Sequence, residues 1–218
     1  MQQLVVVAQA IPRWELIAAW MLRVTLVVSA LVFLATGRLA LGVFCILGVA
    51  LAVVPSIAAR PAHFIWPFEV ELVLLFLVTA HASLGYLFGL YARLVLFDKM
   101  VHFTDSALIG FLAFLAVYLA HYLRSDRSHP WIDVFAILFI TLGIGALWEI
   151  CEFASDQLLG THTQGSQLMG PLADTMWDLM VDGAGGIVAA VLGPLYMRHS
   201  RRSRARVTVF AEQLAARG

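Results

Sequence analysis

Between Leu147 and Asp182 the chain carries two acidic ladders, Glu149, Glu152 and Asp156 before a polar loop and Asp174, Asp178 and Asp182 after it. Offsets of three and seven residues in the first, and of four and eight in the second, put each ladder along one face of an α-helix. Both ladders run into hydrophobic sequence, where an ionisable side chain is costly and faces protein or water, not lipid. A third stripe of the same kind, Asp98, His102 and Asp105, repeats the offsets of four and seven. Carboxylates in such numbers cannot all stay ionised in a low dielectric without compensating charge. His102, His81, Arg93 and Lys99 are too few to neutralise eight carboxylates, so protons or a divalent cation must supply the rest.

Histidine with several carboxylates suits Zn²⁺ or Mn²⁺, and an all-oxygen subset suits Mg²⁺ or Ca²⁺. The expected metal set is His102, Glu149, Asp178 and Asp182. A cation there would activate water against an ester or phosphoester, with Glu152 as general base and Glu149 and Asp174 as further catalytic carboxylates. Arg93 and Lys99 would hold an anionic head group, with Asp98, Trp148 and Asp156 also in reach of substrate. The rival use of the same stripes is a proton or cation relay in a transporter, or an envelope factor without catalysis. Against transport, the helices turn apolar beyond Asp182, and no inverted repeat relates the first three spans to the last three. A buried network that only fixes helix packing is the third reading. A haem pairing of His81 with His102, or of His63 with His121, is a fourth.

The elements that must position these groups are membrane helices. Of 218 residues, 61 % are hydrophobic and 13 % charged, far from the composition of an ordinary soluble domain. Windows of about twenty apolar residues, the length that crosses a bilayer, fall near 15–35, 39–58, 69–91, 100–122, 131–154 and 174–196. The expected fold is therefore all-α, a polytopic membrane protein with six transmembrane helices in a single domain over 1–196. A basic cytoplasmic tail, 197–218, follows. Cys45 and Cys151 lie within apolar segments without metal-type spacing and read as packing residues. Leu4 to Ala8 is too short an apolar run for a signal peptide.

Orientation follows from the basic residues. With the N-terminus inside, ten arginines (13, 60, 124, 127, 198, 201, 202, 204, 206 and 217) are cytoplasmic, against Arg38, Arg93 and Lys99 outside. That imbalance places both termini in the cytoplasm. The start of span four, the end of span five and the start of span six then meet at the outer side, gathering eight of the fourteen acidic residues there. Arg23 interrupts span one and either snorkels or finds a buried partner. Glu69, Glu71, Asp126 and Asp133 read as inner-boundary residues. Glycines 143, 145, 183, 185 and 186 allow close helix approach. Thr161, His162, Gln164 and Gln167 either cover the pocket or merely connect the ladders. Membrane lipids are the expected partners, with a lipid-type substrate and homo-oligomerisation open and no nucleic acid.

Three runs carry a family resemblance: DKMVHF at 98–103, GALWEICEF at 145–153 and DTMWDLMVDGAGG at 174–186. Together they resemble the YjdF-like family of bacterial inner-membrane proteins and, more distantly, VanZ-like proteins. The resemblance covers spans four to six. It implies a multi-pass location in the bacterial inner membrane, where the outer side assigned from the basic residues is the periplasmic one. It also implies a shared site at Asp98, Lys99, His102, Trp148, Glu149, Glu152, Asp156, Asp174, Asp178 and Asp182.

Overall fold

A computed structural model describes residues 10–59, 66–94, 96–124, 129–160, 163–164 and 169–216. The described residues are helical, with no strand among them. Helices α1 (Arg13–Ala35), α2 (Leu39–Ala59) and α3 (Phe68–Val78) come first, and α3 continues as a π-helical segment, Thr79–Leu87. After a single helical turn, Leu90–Arg93, follow α4 (Phe97–Arg124), α5 (Pro130–Leu159), α6 (Pro171–His199) and α7 (Arg201–Ala215). Six helices are long and apolar enough to cross a bilayer, α3 together with its π-helical continuation.

Local signals explain several boundaries. Pro130 and Pro171 open α5 and α6, the first helical turn being where a missing N–H costs nothing. Gly160, with φ of 64°, ends α5 in the left-handed conformation that a Cβ disfavours. The α5 helix thus runs five residues past the expected end at 154 and makes Asp156 helical. Gly37, with φ of 76°, closes the short α1–α2 connection, where Arg38 N–H donates to the Phe33 carbonyl at 2.8 Å.

The chain divides into two compact units, where the sequence reading expected one domain. The first comprises Met1–Leu90, Tyr122–Ser125 and Met197–Gly218, the second Tyr91–His121 and Asp126–Tyr196. In the first unit α1, α2 and α3 pack around Leu26, Phe33, Cys45, Ala52 and Leu75. Arg23 is resolved in favour of a buried partner: its guanidinium pairs with Glu71, which also accepts a 2.6 Å hydrogen bond from Ser56. Glu71 is 1 % exposed, so it is enclosed by protein and not open to an interface. Within the expected basic tail, Arg201–Ala215 form α7, and Arg206 is buried with its guanidinium on Glu69 at 2.7 Å and Glu15 at 3.3 Å. A guanidinium fork can serve two carboxylates at once, which explains an arginine on the inward face of a helix whose Arg201 and Arg202 are exposed.

The second unit is built from α4, α5 and α6. On α6 the residues Leu172, Met176, Met180 and Ile187 are exposed while Asp174, Asp178 and Asp182 are buried. On α5 Leu147, Ile150 and Phe153 are exposed while Glu149 is buried. Apolar side chains outward and carboxylates inward is the arrangement a hydrocarbon solvent demands. Small residues bring the three helices together. A Cβ on Gly185 of α6 would lie 2.6 Å from the Phe103 carbonyl of α4, and one on Gly110 of α4 would lie 2.7 Å from Ala189 of α6. Gly186 faces Thr141 of α5. Cys151 is exposed on α5, so only Cys45 of the two cysteines is a core packing residue.

Candidate metal centre

His102, one turn into α4, is the hub of the second unit's polar interior and is 5 % exposed. Its two ring nitrogens meet different partners. Nδ1 lies 3.3 Å from Asp182 Oδ1, and that same oxygen accepts a 2.5 Å hydrogen bond from Ser106. Nε2 faces Glu149 Oε1 and Asp178 Oδ1, each at 3.8 Å, and Asp98 Oδ1 at 3.9 Å. An Nδ1–H held by Asp182 leaves the Nε2 lone pair pointing among three carboxylates.

Two of those oxygens have no hydrogen-bond partner among the described residues. Glu149 Oε1 and Asp178 Oδ1 are fully buried and accept no hydrogen bond from the described residues, although such atoms are costly to leave unsatisfied. Their residues are otherwise firmly held. Glu149 Oε2 accepts a 2.6 Å hydrogen bond from Thr175, and Asp178 Oδ2 lies 2.6 Å from the Lys99 ammonium. Each carboxylate therefore has one oxygen fixed by protein and the other turned towards Nε2. Asp98, His102 and Asp178 offer ligand atoms within 4.8 Å of one another. Ligands about 2.1 Å from a tetrahedral ion are about 3.4 Å apart, so a Zn²⁺-sized ion requires the Nε2–oxygen separations to close by about 0.4–0.5 Å and the widest separation in the set by up to about 1.4 Å. The longer bonds of Ca²⁺ need less movement.

Asp182 sits on the Nδ1 side of His102, whereas the sequence placed it among the ligands. Asp98, expected near substrate, sits on the Nε2 side. Asp174 is buried in the first turn of α6 and holds Lys99 at 2.7 Å. Lys99 in turn contacts Asp98, Asp174 and Asp178, so its charge is spent within the cluster and is not presented to an incoming anion. Arg93 is exposed at the end of the turn before α4. Glu152 is half-buried one turn beyond Glu149 and accepts a 3.0 Å hydrogen bond from the Trp148 indole. Asp156, expected to reach substrate, instead pins the loop: Oδ1 accepts from Thr163 N–H and hydroxyl at 2.6 and 2.8 Å, and Oδ2 from Gln164 N–H at 2.9 Å.

Gln164 then reaches Thr175 Oγ1 and the Glu149 carbonyl, both at 3.3 Å, so this part of the connection is tied to both ladders. Thr161, His162 and Gln167 lie outside the described residues, as does His63 of the haem pairing. His121 of that pairing faces Asp133 at 3.2 Å. Sequence reasoning missed Ser106, Thr163 and Thr175, whose hydroxyls carry no hydropathy signal. Gly145 is more than a packing glycine, because a Cβ there would collide with the Asp182 carboxylate.

A protein from Thermotoga maritima described as "Uncharacterized protein" is 26 % identical over 130 residues, 58 % of this chain and 64 % of that protein. The match thus spans less than two thirds of the relative's length. No solved structure matches. Residues 15–199, which include all six membrane-length helices apart from the first two residues of α1, match the family described as predicted membrane protein (DUF2238), and the chain belongs to that family.

Proposed function

We propose that the second unit binds one divalent cation through His102 Nε2, Asp98, Glu149 and Asp178, and that the protein is a membrane-embedded hydrolase of a lipid or lipid-linked ester or phosphoester. The observation that carries the cation site is the pair of buried, unpartnered oxygens on Glu149 and Asp178, both 3.8 Å from Nε2. Asp182 completes the pattern as the carboxylate that orients a metal-binding histidine from behind. Such a cation supplies a Lewis acid and an activated water. Glu152 is the member of the α5 acidic ladder whose side chain stays outside this ligand set and outside the loop contacts, and it takes the proton from the attacking water. Trp148 fixes its orientation through the indole N–H. Arg93 holds an anionic head group.

The membrane context supports a lipid-type substrate, because the centre lies among the helix ends of a bundle whose outer faces are apolar. The charge imbalance supports a centre on the periplasmic side of a bacterial inner membrane. The three motifs support a kinship with YjdF-like proteins; the VanZ-like resemblance contributes nothing to this reading. The test is hydrolysis of vesicle-borne phosphoester and carboxylester lipids by protein in nanodiscs. Turnover is expected to vanish on chelation, to return with Zn²⁺ or Mn²⁺, and to be abolished in Glu152→Gln with the cation still bound. Turnover unaffected by chelation, or a fully active Glu152→Gln variant, would overturn the hydrolytic reading.

A further inference from the structure

The two cationic side chains of the cluster share ligands in a particular way. Asp98 presents Oδ1 to His102 Nε2 at 3.9 Å and Oδ2 to Lys99 Nζ at 3.0 Å. Asp178 presents Oδ1 to Nε2 at 3.8 Å and Oδ2 to Nζ at 2.6 Å. Two carboxylates therefore bridge two adjacent positions, each using one oxygen per position. The first position is bounded by Nε2 and completed by Glu149 Oε1 at 3.8 Å. The second is filled by the ammonium and completed by Asp174 Oδ1 at 2.7 Å and, more distantly, the Asp174 carbonyl at 3.4 Å. Bridging carboxylates with a terminal ligand set on either side are the layout of centres holding two metal ions about 3.5–4 Å apart.

Resting on the cation site proposed above, we propose that the Lys99 ammonium is a built-in second cation: it occupies the second position of a carboxylate-bridged pair and limits the centre to one divalent ion. An ammonium is compact, with donors that suit three oxygens on different residues, and Lys99 Nζ makes one contact below 3.1 Å to each of three carboxylates. Asp174, which touches the ammonium and not Nε2, belongs to the second position only. The lysine is thus a positioning residue that keeps Asp98 and Asp178 splayed with one oxygen towards each position.

The test is Mn²⁺ stoichiometry and electron paramagnetic resonance on the full chain in detergent or nanodiscs, for wild type, Lys99→Ala and Asp174→Asn. Wild type is expected to saturate at one ion with the signal of an isolated Mn²⁺. Lys99→Ala is expected to saturate at two, with an exchange-coupled signal, and to return to one in Lys99→Ala/Asp174→Asn. Asp174→Asn alone is expected to keep one ion, which decides the matter independently if Lys99→Ala does not fold. Two ions in wild type, one ion in folded Lys99→Ala, or an ion lost in Asp174→Asn would each overturn the assignment. Failure of wild type to bind any ion would overturn the cation site itself, a result distinct from those three.

Discussion

Replacing Asp182 with Asn separates two assignments of the same carboxylate, metal ligand or support for a ligand. Asp182 Oδ1 lies 3.3 Å from His102 Nδ1 and accepts from Ser106, and the residue is 1 % exposed. The amide is isosteric, so packing is preserved, and what is lost is the charge that fixes the ring tautomer and raises the basicity of Nε2. Loss of such a supporting carboxylate weakens metal binding about 10- to 100-fold, which is about 1.4–2.7 kcal/mol. Asp98→Asn should do more harm, because it removes an oxygen facing Nε2 and at the same time loosens Lys99. The assay is competition for Mn²⁺ or Zn²⁺ against a chelator of known affinity, on wild type and both variants. The predicted order of affinity is wild type, then Asp182→Asn, then Asp98→Asn. The reverse order for the two variants, or Asp182→Asn indistinguishable from wild type, would refute the placement of the cation on the Nε2 side.

Gly145→Ala drives a methyl into the Asp182 carboxylate, so thermal unfolding in detergent should show a loss of about 1–3 kcal/mol from overpacking. Gly143→Ala, with nothing within 4 Å of the new Cβ, should be neutral or stabilising by up to about 1 kcal/mol through helix propensity. In the first unit, Glu71→Ala leaves Arg23 without its buried counter-charge and removes the acceptor of Ser56. Denaturation should register about 3–5 kcal/mol, with metal content of the surviving folded protein unchanged. Thr175→Val removes the hydroxyl that fixes Glu149 Oε2, and chelator competition should show a smaller loss of metal affinity than Glu149→Gln.

The three stripes were legible because hydropathy and helical periodicity act together: a carboxylate recurring every three or four residues in apolar sequence has one face on which it can be tolerated. Six membrane-length helices followed from the same signal. What each carboxylate does was not legible, since that depends on which oxygen faces which nitrogen. Asp182 lies at Nδ1 of His102 and Asp98 on the Nε2 side, and no spacing distinguishes Nδ1 from Nε2. Asp156 belongs to its ladder by periodicity, yet its position one turn from the α5 end gives it the loop amides as partners. The hydroxyls of Ser106 and Thr175 are invisible to charge counting, although both lie within one turn of a ladder residue. The burial of Arg206 was not legible, because six arginines in the tail suggest solvent. The helical spacing of Ser203, Arg206, Val207 and Phe210 was there to be seen, but only the carboxylates of Glu15 and Glu69 reveal why an arginine belongs on that face. The division into two units was hidden for a related reason, since hydropathy finds spans and says nothing of which pack together.

The most direct test of the account is metal content of protein purified without chelators and re-equilibrated with Zn²⁺, Mn²⁺, Mg²⁺ and Ca²⁺, measured by elemental mass spectrometry on wild type, His102→Ala and Asp178→Ala with matched folding controls. One ion per chain in wild type, lost in both folded variants, is the predicted result. Wild type without a stoichiometric ion, or variants that retain it in full, would contradict the centre and leave the stripes as a protonated packing network.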